Sequence, residues 1–247
     1  MSKVPSGALA GAAAAAGALA SVVARLSNGL PLAADVAASV QRDCTRVAQV
    51  SASRVRGAPD IATIGASLVR AVQAGARAAE ASDASAGLYD AAAQAAVTFP
   101  ASASPVLTQQ YALARALAAT VEVACLGEAF VAEARTAFSD RRSATEARAR
   151  IGRAMDGASD RISIALGQEV LALLSGVARE TSGHLALLAT SLQPVVRVEA
   201  GRSYPSTALA WGLYGDPARA ADIVQRNRCG TPLFLPASVE AIAPAGA

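Results

Sequence analysis

The stretch DRISIALGQEVLALLSGV, residues 160–177, sets Leu166, Val170, Leu173, Leu174 and Val177 three and four residues apart. That spacing gathers apolar side chains on one side of an α-helix, and nowhere else in the chain is it so clear. The pattern runs on to Pro194, where it stops. Upstream, Ser143 followed by Glu146 reads as a capping box. The helix it opens carries Arg148, Arg150, Ile151, Arg153 and Met155 and pauses near Gly157-Ala158-Ser159-Asp160. Ser104 and Pro105 read as an N-cap and first-turn proline. Their helix reaches about Phe138, with Val123, Leu126, Phe130, Ala134 and Phe138 along one side and Arg115, Glu122, Glu128, Glu133 and Arg135 at other positions. Residues 104–194 are therefore expected to form a helical hairpin or small bundle.

Residues 1–103 are expected to be an Ala-rich helical region. One helix is expected over residues 33–54, through Val36, Val40, Val47 and Val50, and a second over 61–81, through Ile64, Leu68, Val69 and Val72. Gly57-Ala58-Pro59-Asp60 separates them, and the segment 98–105, with Pro100 and Pro105, reads as a loop. Residues 4–26 are the one candidate targeting segment. They are alanine and glycine rather than leucine, so neither a signal peptide nor a membrane-spanning helix is expected.

Composition agrees with this all-helical reading. Of 247 residues 53% are hydrophobic but only 4% aromatic; about a quarter are alanine, a strong helix former that supplies little buried area. Twenty-two Lys+Arg against 19 Asp+Glu give a net charge of +3, too balanced to mark a nucleic-acid groove. Lys3 is the sole lysine, which excludes P-loop NTPases, protein kinases, Schiff-base enzymes and Ser-Lys catalysts. Cys44, Cys125 and Cys229 are far apart with no metal-ligand spacing and read as buried thiols. His184 is the only histidine, at a point where the helix is expected to relax, and no Gly-x-Ser-x-Gly elbow accompanies it. Carboxylate pairs such as Glu128 with Glu133, or Asp156 with Asp160, read as solvated helix faces rather than glycosidase acids. No catalytic residue, metal, cofactor or small-molecule substrate is expected.

The texture changes at Val195. Val195-Val196-Arg197-Val198-Glu199 reads as a strand, residues 209–214 as a short helix closed by Gly215, and Asp216-Pro217 as the cap of a helix running to about Asn227. Ser238-Val239-Glu240-Ala241-Ile242 reads as a second strand, which makes residues 195–247 a compact βααβ unit with Trp211, Tyr214 and Phe234 as its core anchors. The expected fold is thus mainly α, helical bundle or hairpins followed by a small βααβ module.

The segment from Ala208 through Trp211-Gly212-Leu213-Tyr214-Gly215-Asp216-Pro217 to Arg228, with Pro232-Leu233-Phe234-Leu235-Pro236, resembles the C-terminal part of Mu-like phage DNA-circulation proteins, tail and baseplate components of contractile-tailed phages. With the helical middle from Arg135 onward, the likeness covers roughly the last 115 residues. The family's usual β-rich opening domain has no counterpart in the first hundred residues. The same segment is similar to LysM-like modules, with Asn227 at the matching asparagine but Ala237 where the turn glycine would stand.

The resemblance implies a structural protein of a phage tail or tail-like particle at the baseplate or tube end, assembled in the bacterial cytoplasm. Its expected partners are further copies in a homo-oligomeric ring and other tail proteins. Trp211, Leu213, Tyr214, Arg219, Asn227 and Phe234 are the expected docking residues. Arg141, Arg142, Arg148, Arg150 and Arg153 form a candidate phosphate or intersubunit ion-pair strip, favoured as a solvated or ion-paired face because Glu146 and Asp156 bracket it and no aromatic is interleaved. The alternatives are a peptidoglycan-binding LysM-like protein and, more weakly, a DNA clamp built on that strip.

Overall fold

The structure is a computed structural model that describes residues 6–98 and 104–244. It is mainly helical with a small two-stranded antiparallel sheet near the C-terminus. The chain runs α1 (Ser6–Gly29), α2 (Ala34–Arg46), a π turn and a 3-10 turn through Arg54, α3 (Ala58–Ala78), α4 (Ala81–Ala96), α5 (Pro105–Gln110), α6 (Ala112–Arg135), α7 (Arg141–Leu166) and α8 (Gln168–Ser191). It continues with β1 (Val195–Glu199), α9 (Ser206–Tyr214), a 3-10 turn (Pro217–Arg219), α10 (Ala220–Arg226) and β2 (Ser238–Ile242). Residues 99–103 of the expected loop lie outside the described residues.

Contacts group the chain into two compact units, residues 1–137 with 149–183, and residues 138–148 with 184–247. The divisions at 148/149 and 183/184 fall within α7 and α8, and that at 137/138 falls between α6 and α7.

In the first unit α6 packs against α1, α3 and α4. The face that α3 buries consists of Ile61, Ile64, Gly65, Leu68, Ala71, Val72, Gly75 and Ala76. On α4 it consists of Ala81, Ala84, Ser85, Leu88, Ala91, Ala92 and Ala95, the first seven of those positions twenty residues on. Only Leu88 is bulky among these buried α4 residues, with half-buried Tyr89 beside it setting its ring 6.3 Å from that of Phe130, and the small remainder of the face lets the helix approach its neighbours closely. A Cβ on Gly87 would lie 3.2 Å from Leu26 Cδ1, which is why glycine suits this approach to α1. Helix α1 is long and apolar enough to cross a membrane by length and composition, and 44% of its most apolar window is buried in the fold. Its buried residues include Ala12, Ala16, Leu19 and Val23. Neither α1 nor α4 was expected as a packing helix, because an alanine face carries almost no periodic signal.

Several expectations need correction. Helix α6 is broken from α5 at Tyr111 and ends at Arg135. It is buried nearly all round, and Glu122, Glu128 and Glu133 are inside rather than on a polar side. Helix α7 does not pause at Gly157–Asp160 but runs to Leu166; the break is Gly167, whose φ of +89° is the left-handed conformation that glycine adopts freely. The chain's clearest apolar repeat also straddles that break. Of its members only Leu174 is buried, while Leu173 and Val177 are exposed; the inward row on α8 is Leu174, Ala178, Thr181 and Leu185. Helix α8 continues through His184, which is exposed on it.

Candidate functional site

Both expected strands form over the expected residues, paired antiparallel with Val195 opposite Ile242 and Glu199 opposite Ser238. Between them α9 ends on Gly215 in the left-handed conformation, and the Asp216 carboxylate accepts the Ala218 N–H at 2.9 Å to start the next turn. The core is Ala210, Ile223, Leu235 and Val239, with Val198, Leu209, Leu213, Tyr214, Ala220, Val224 and Cys229 packed against it.

Trp211 and Phe234 are not core anchors. They are 64% and 71% exposed, as is neighbouring Leu233 at 61%. Trp211 follows Ala210 on α9, and the helix turns it outward as it turns Ala210 in. The Ser206 N–H donates to the Pro232 carbonyl and the Leu235 N–H to the Tyr204 carbonyl. These bonds lay residues 232–235 beside the start of α9, and Leu235 alone of that run turns inward. Aromatic side chains carry about 150–250 Å² of buriable surface each, and these two stay largely outside a core that closes without them.

The other expected docking residues serve the module itself. Leu213 and Tyr214 pack on the core, the Tyr214 hydroxyl donates to the Ile242 carbonyl at 3.0 Å, and the Arg219 guanidinium stacks 3.7 Å over the Tyr214 ring. Burial raises the Tyr214 phenol above its usual range although Arg219 works against it. Both ends of the Asn227 amide are used internally: Nδ2 donates to the Ile223 and Glu240 carbonyls, and Oδ1 accepts the Glu240 N–H at 2.8 Å.

The start of α7 belongs to the same unit, fastened by charge. Its cap is Asp140, not Ser143. The buried Asp140 carboxylate accepts the Ser143 N–H at 2.9 Å and an Arg226 N–H at 3.0 Å, while Arg226 also reaches Asp222 at 3.2 Å. Burial alone would raise this carboxyl, but the Ser143 N–H, Arg226 and Ser139 together bring it below its ordinary value. Glu146, expected in a capping box, instead pairs with Arg142, which also reaches Glu240 at 3.1 Å. Sequence reading missed Asp140 and Arg226, since neither spacing nor periodicity links residues so far apart.

The arginine strip is largely spent within the chain. Arg142 is ion-paired, Arg141 donates to the Ala189 carbonyl, and Arg150 makes a two-pronged contact with Glu133 at 2.9 and 3.2 Å. Arg148 and Arg153 are exposed. Arg150 is one of three such partners of α6: Arg161 pairs with Glu122 at 2.6 Å and Arg77 with Glu128 at 3.1 Å. Glu128 and Glu133, which read as solvated, are therefore buried and compensated, whereas Asp156 and Asp160 are exposed, as expected. Arg150, Arg153 and Arg161, with Tyr89, Asp90, Glu122 and Leu126, line an open cavity of about 470 Å³ in the helical unit. Burial, followed by the Glu133 charge, raises the Tyr89 phenol.

Cys44 and Cys125 are buried thiols, pushed up by burial to about 11 and about 12 respectively, with Asp43 and Glu122 adding to the effect; both are poor nucleophiles at neutral pH. Among the described residues no cluster of His, Cys, Asp and Glu is placed to hold a metal ion. Comparison of the chain with known protein families and with curated proteins returned no match.

Proposed function

We propose that the chain is a non-enzymatic structural component of a contractile phage tail or tail-like particle, acting as a baseplate or tube-end adaptor through protein–protein contacts. Its C-terminal unit is the docking knob, a LysM-like module used for adhesion to protein rather than glycan. One observation carries the docking part of this reading: Trp211, Leu233 and Phe234 project from a module whose core is complete without them. Solvated aromatics of this kind become anchor residues when a partner covers them. The tail assignment is supported by the resemblance of residues 208–236 to Mu-like phage DNA-circulation proteins.

The test is incorporation. The full chain should be found by mass spectrometry in purified tail particles from its host, and Trp211→Ala with Phe234→Ala should remove it from them while leaving the thermal midpoint of the free protein unchanged. Particles that lack the chain would overturn the tail reading. Incorporation indifferent to both substitutions would overturn the docking role. Retention of the full chain on purified cell-wall sacculus, lost in the same variant, would turn the module into a glycan reader instead.

A further inference from the structure

The two strands of the C-terminal sheet treat their outer edges differently. The Ala200 N–H donates to the Ala237 carbonyl and the Ala243 N–H to the Pro194 carbonyl, bracketing the ladder. In the antiparallel alternation the even-numbered residues of β1 therefore bond to β2, and Val195, Arg197 and Glu199 turn their N–H and C=O groups away from it. On β2 the matching outward groups belong to Ser238, Glu240 and Ile242; the Asn227 amide takes both of those of Glu240, and the Tyr214 hydroxyl takes the Ile242 carbonyl. On β1 no described residue takes the outward main-chain groups of Arg197 or Glu199; their side chains pair with each other at 3.1 Å, bridged by Ser238, yet remain 76% and 67% exposed. An open edge of this kind is a template for another strand.

We propose that this edge pairs with itself: two copies of the chain join β1 to β1 antiparallel about Val198, giving a continuous sheet ordered β2–β1–β1–β2. The charges fit this occupant and this register, because the Arg197–Glu199 pair within each strand would extend into an alternating four-charge cluster across the seam. Pairing about Val198 sets Arg197 opposite Glu199 of the second copy, and Glu199 opposite that copy's Arg197. Each pair exchanges two main-chain bonds and joins opposite charges across the strands. Pairing about Arg197 would set the two guanidinium groups against each other. The arrangement is two-fold symmetric and closed, because Asn227 already occupies the β2 edge at Glu240 and blocks further strand addition there. The inference rests on the expectation that copies of the chain associate with one another and is independent of the tail assignment.

Sedimentation of the full chain tests it. The wild type should show a concentration-dependent dimer. Arg197→Pro deletes an outward N–H and no rung to β2, so it should weaken the dimer at least about tenfold with little change in thermal midpoint. Arg197→Glu should weaken it similarly, and adding Glu199→Arg should restore it, because the exchanged charges are again complementary. That restoration decides the matter if the proline variant does not fold. A chain that stays monomeric at every concentration overturns the pairing together with self-association. An oligomer untouched by Arg197→Pro and by charge reversal overturns the β1 pairing alone and leaves the assembly reading standing.

Discussion

The helical unit around α6 and the C-terminal unit both face a shortage of bulky side chains, and they meet it by different means. Around α6, small faces bring helices close together, and buried glutamates are compensated by arginines from α3 and α7. In the C-terminal unit the apolar core is no more than Ala210, Ile223, Leu235 and Val239 with their neighbours, and polar clamps do much of the fastening: Asn227 on Glu240, and Arg226 on Asp140 and Asp222. The first unit keeps charge inside, and the second keeps aromatics outside. A sequence rich in alanine therefore does not by itself tell where its polar groups go.

The sharpest way to break the comparison is to remove one partner of a buried pair. Glu133 is 1% exposed and its partner Arg150 is 41% exposed. Arg150→Leu should leave the carboxylate uncompensated and cost about 3–5 kcal/mol, whereas Glu133→Leu with Arg150→Leu should lie within about 1 kcal/mol of wild type. Urea denaturation of both variants and of Glu133→Leu alone completes the cycle. If the paired and single variants are equally unstable, the ion pair is not what the helical unit depends on.

In the C-terminal unit the comparable substitution is smaller and depends on pH. Asp140→Asn keeps a capping side chain but loses the charge facing Arg226, for an expected cost of about 2 kcal/mol at neutral pH. Folding lowers the Asp140 carboxyl, so its contribution is complete above about pH 4 and is lost as pH falls through the folded value. Melting curves of wild type and variant should therefore converge in acid. A gap that persists at pH 2 would show that the cap, not the charge, matters.

The third effect returns to close packing. Gly87→Val forces side-chain atoms toward Leu26 and Leu30, whose methyl carbons lie 3.2 and 3.7 Å from a Cβ placed there. An overpacking cost of about 1.5 kcal/mol should follow. The same change at Gly176, where a Cβ meets nothing within 4 Å, isolates the steric part from the helix-propensity part, which is shared.

These cases also explain what the chain made legible beforehand. The strands at 195–199 and 238–242 and the Gly215 and Asp216 caps could be read because turn residues and β-branched runs act locally. The helical class was legible for the same reason. The inward face of α8 was not, because Gly167 reset the helical phase in the middle of the repeat that looked strongest. Nor were the buried glutamates of α6, whose partners Arg77, Arg150 and Arg161 lie on other helices and are invisible to spacing. Within the docking set, sequence supplied the residue types but not their direction. Asn227 was expected to dock and is fully bonded within the module, and Leu213 and Tyr214 pack on its core, while Trp211 and Phe234 are exposed.

That difference in direction sets the smallest prediction, which is also the one that separates surface from core. Phe234→Ala and Trp211→Ala remove large side chains from solvent and should change stability by less than about 0.5 kcal/mol. Ile223→Ala, which removes a fully buried side chain from the same module, should cost about 2–4 kcal/mol. Size alone would rank the three substitutions the other way round, so a denaturation series decides between size and direction. If Phe234→Ala destabilises the module as much as Ile223→Ala, the ring is a structural cover and no longer free to anchor a partner. If it is silent in stability and costly in association, the module carries its aromatics outward for contact, which is the property that sets it apart from the helical unit.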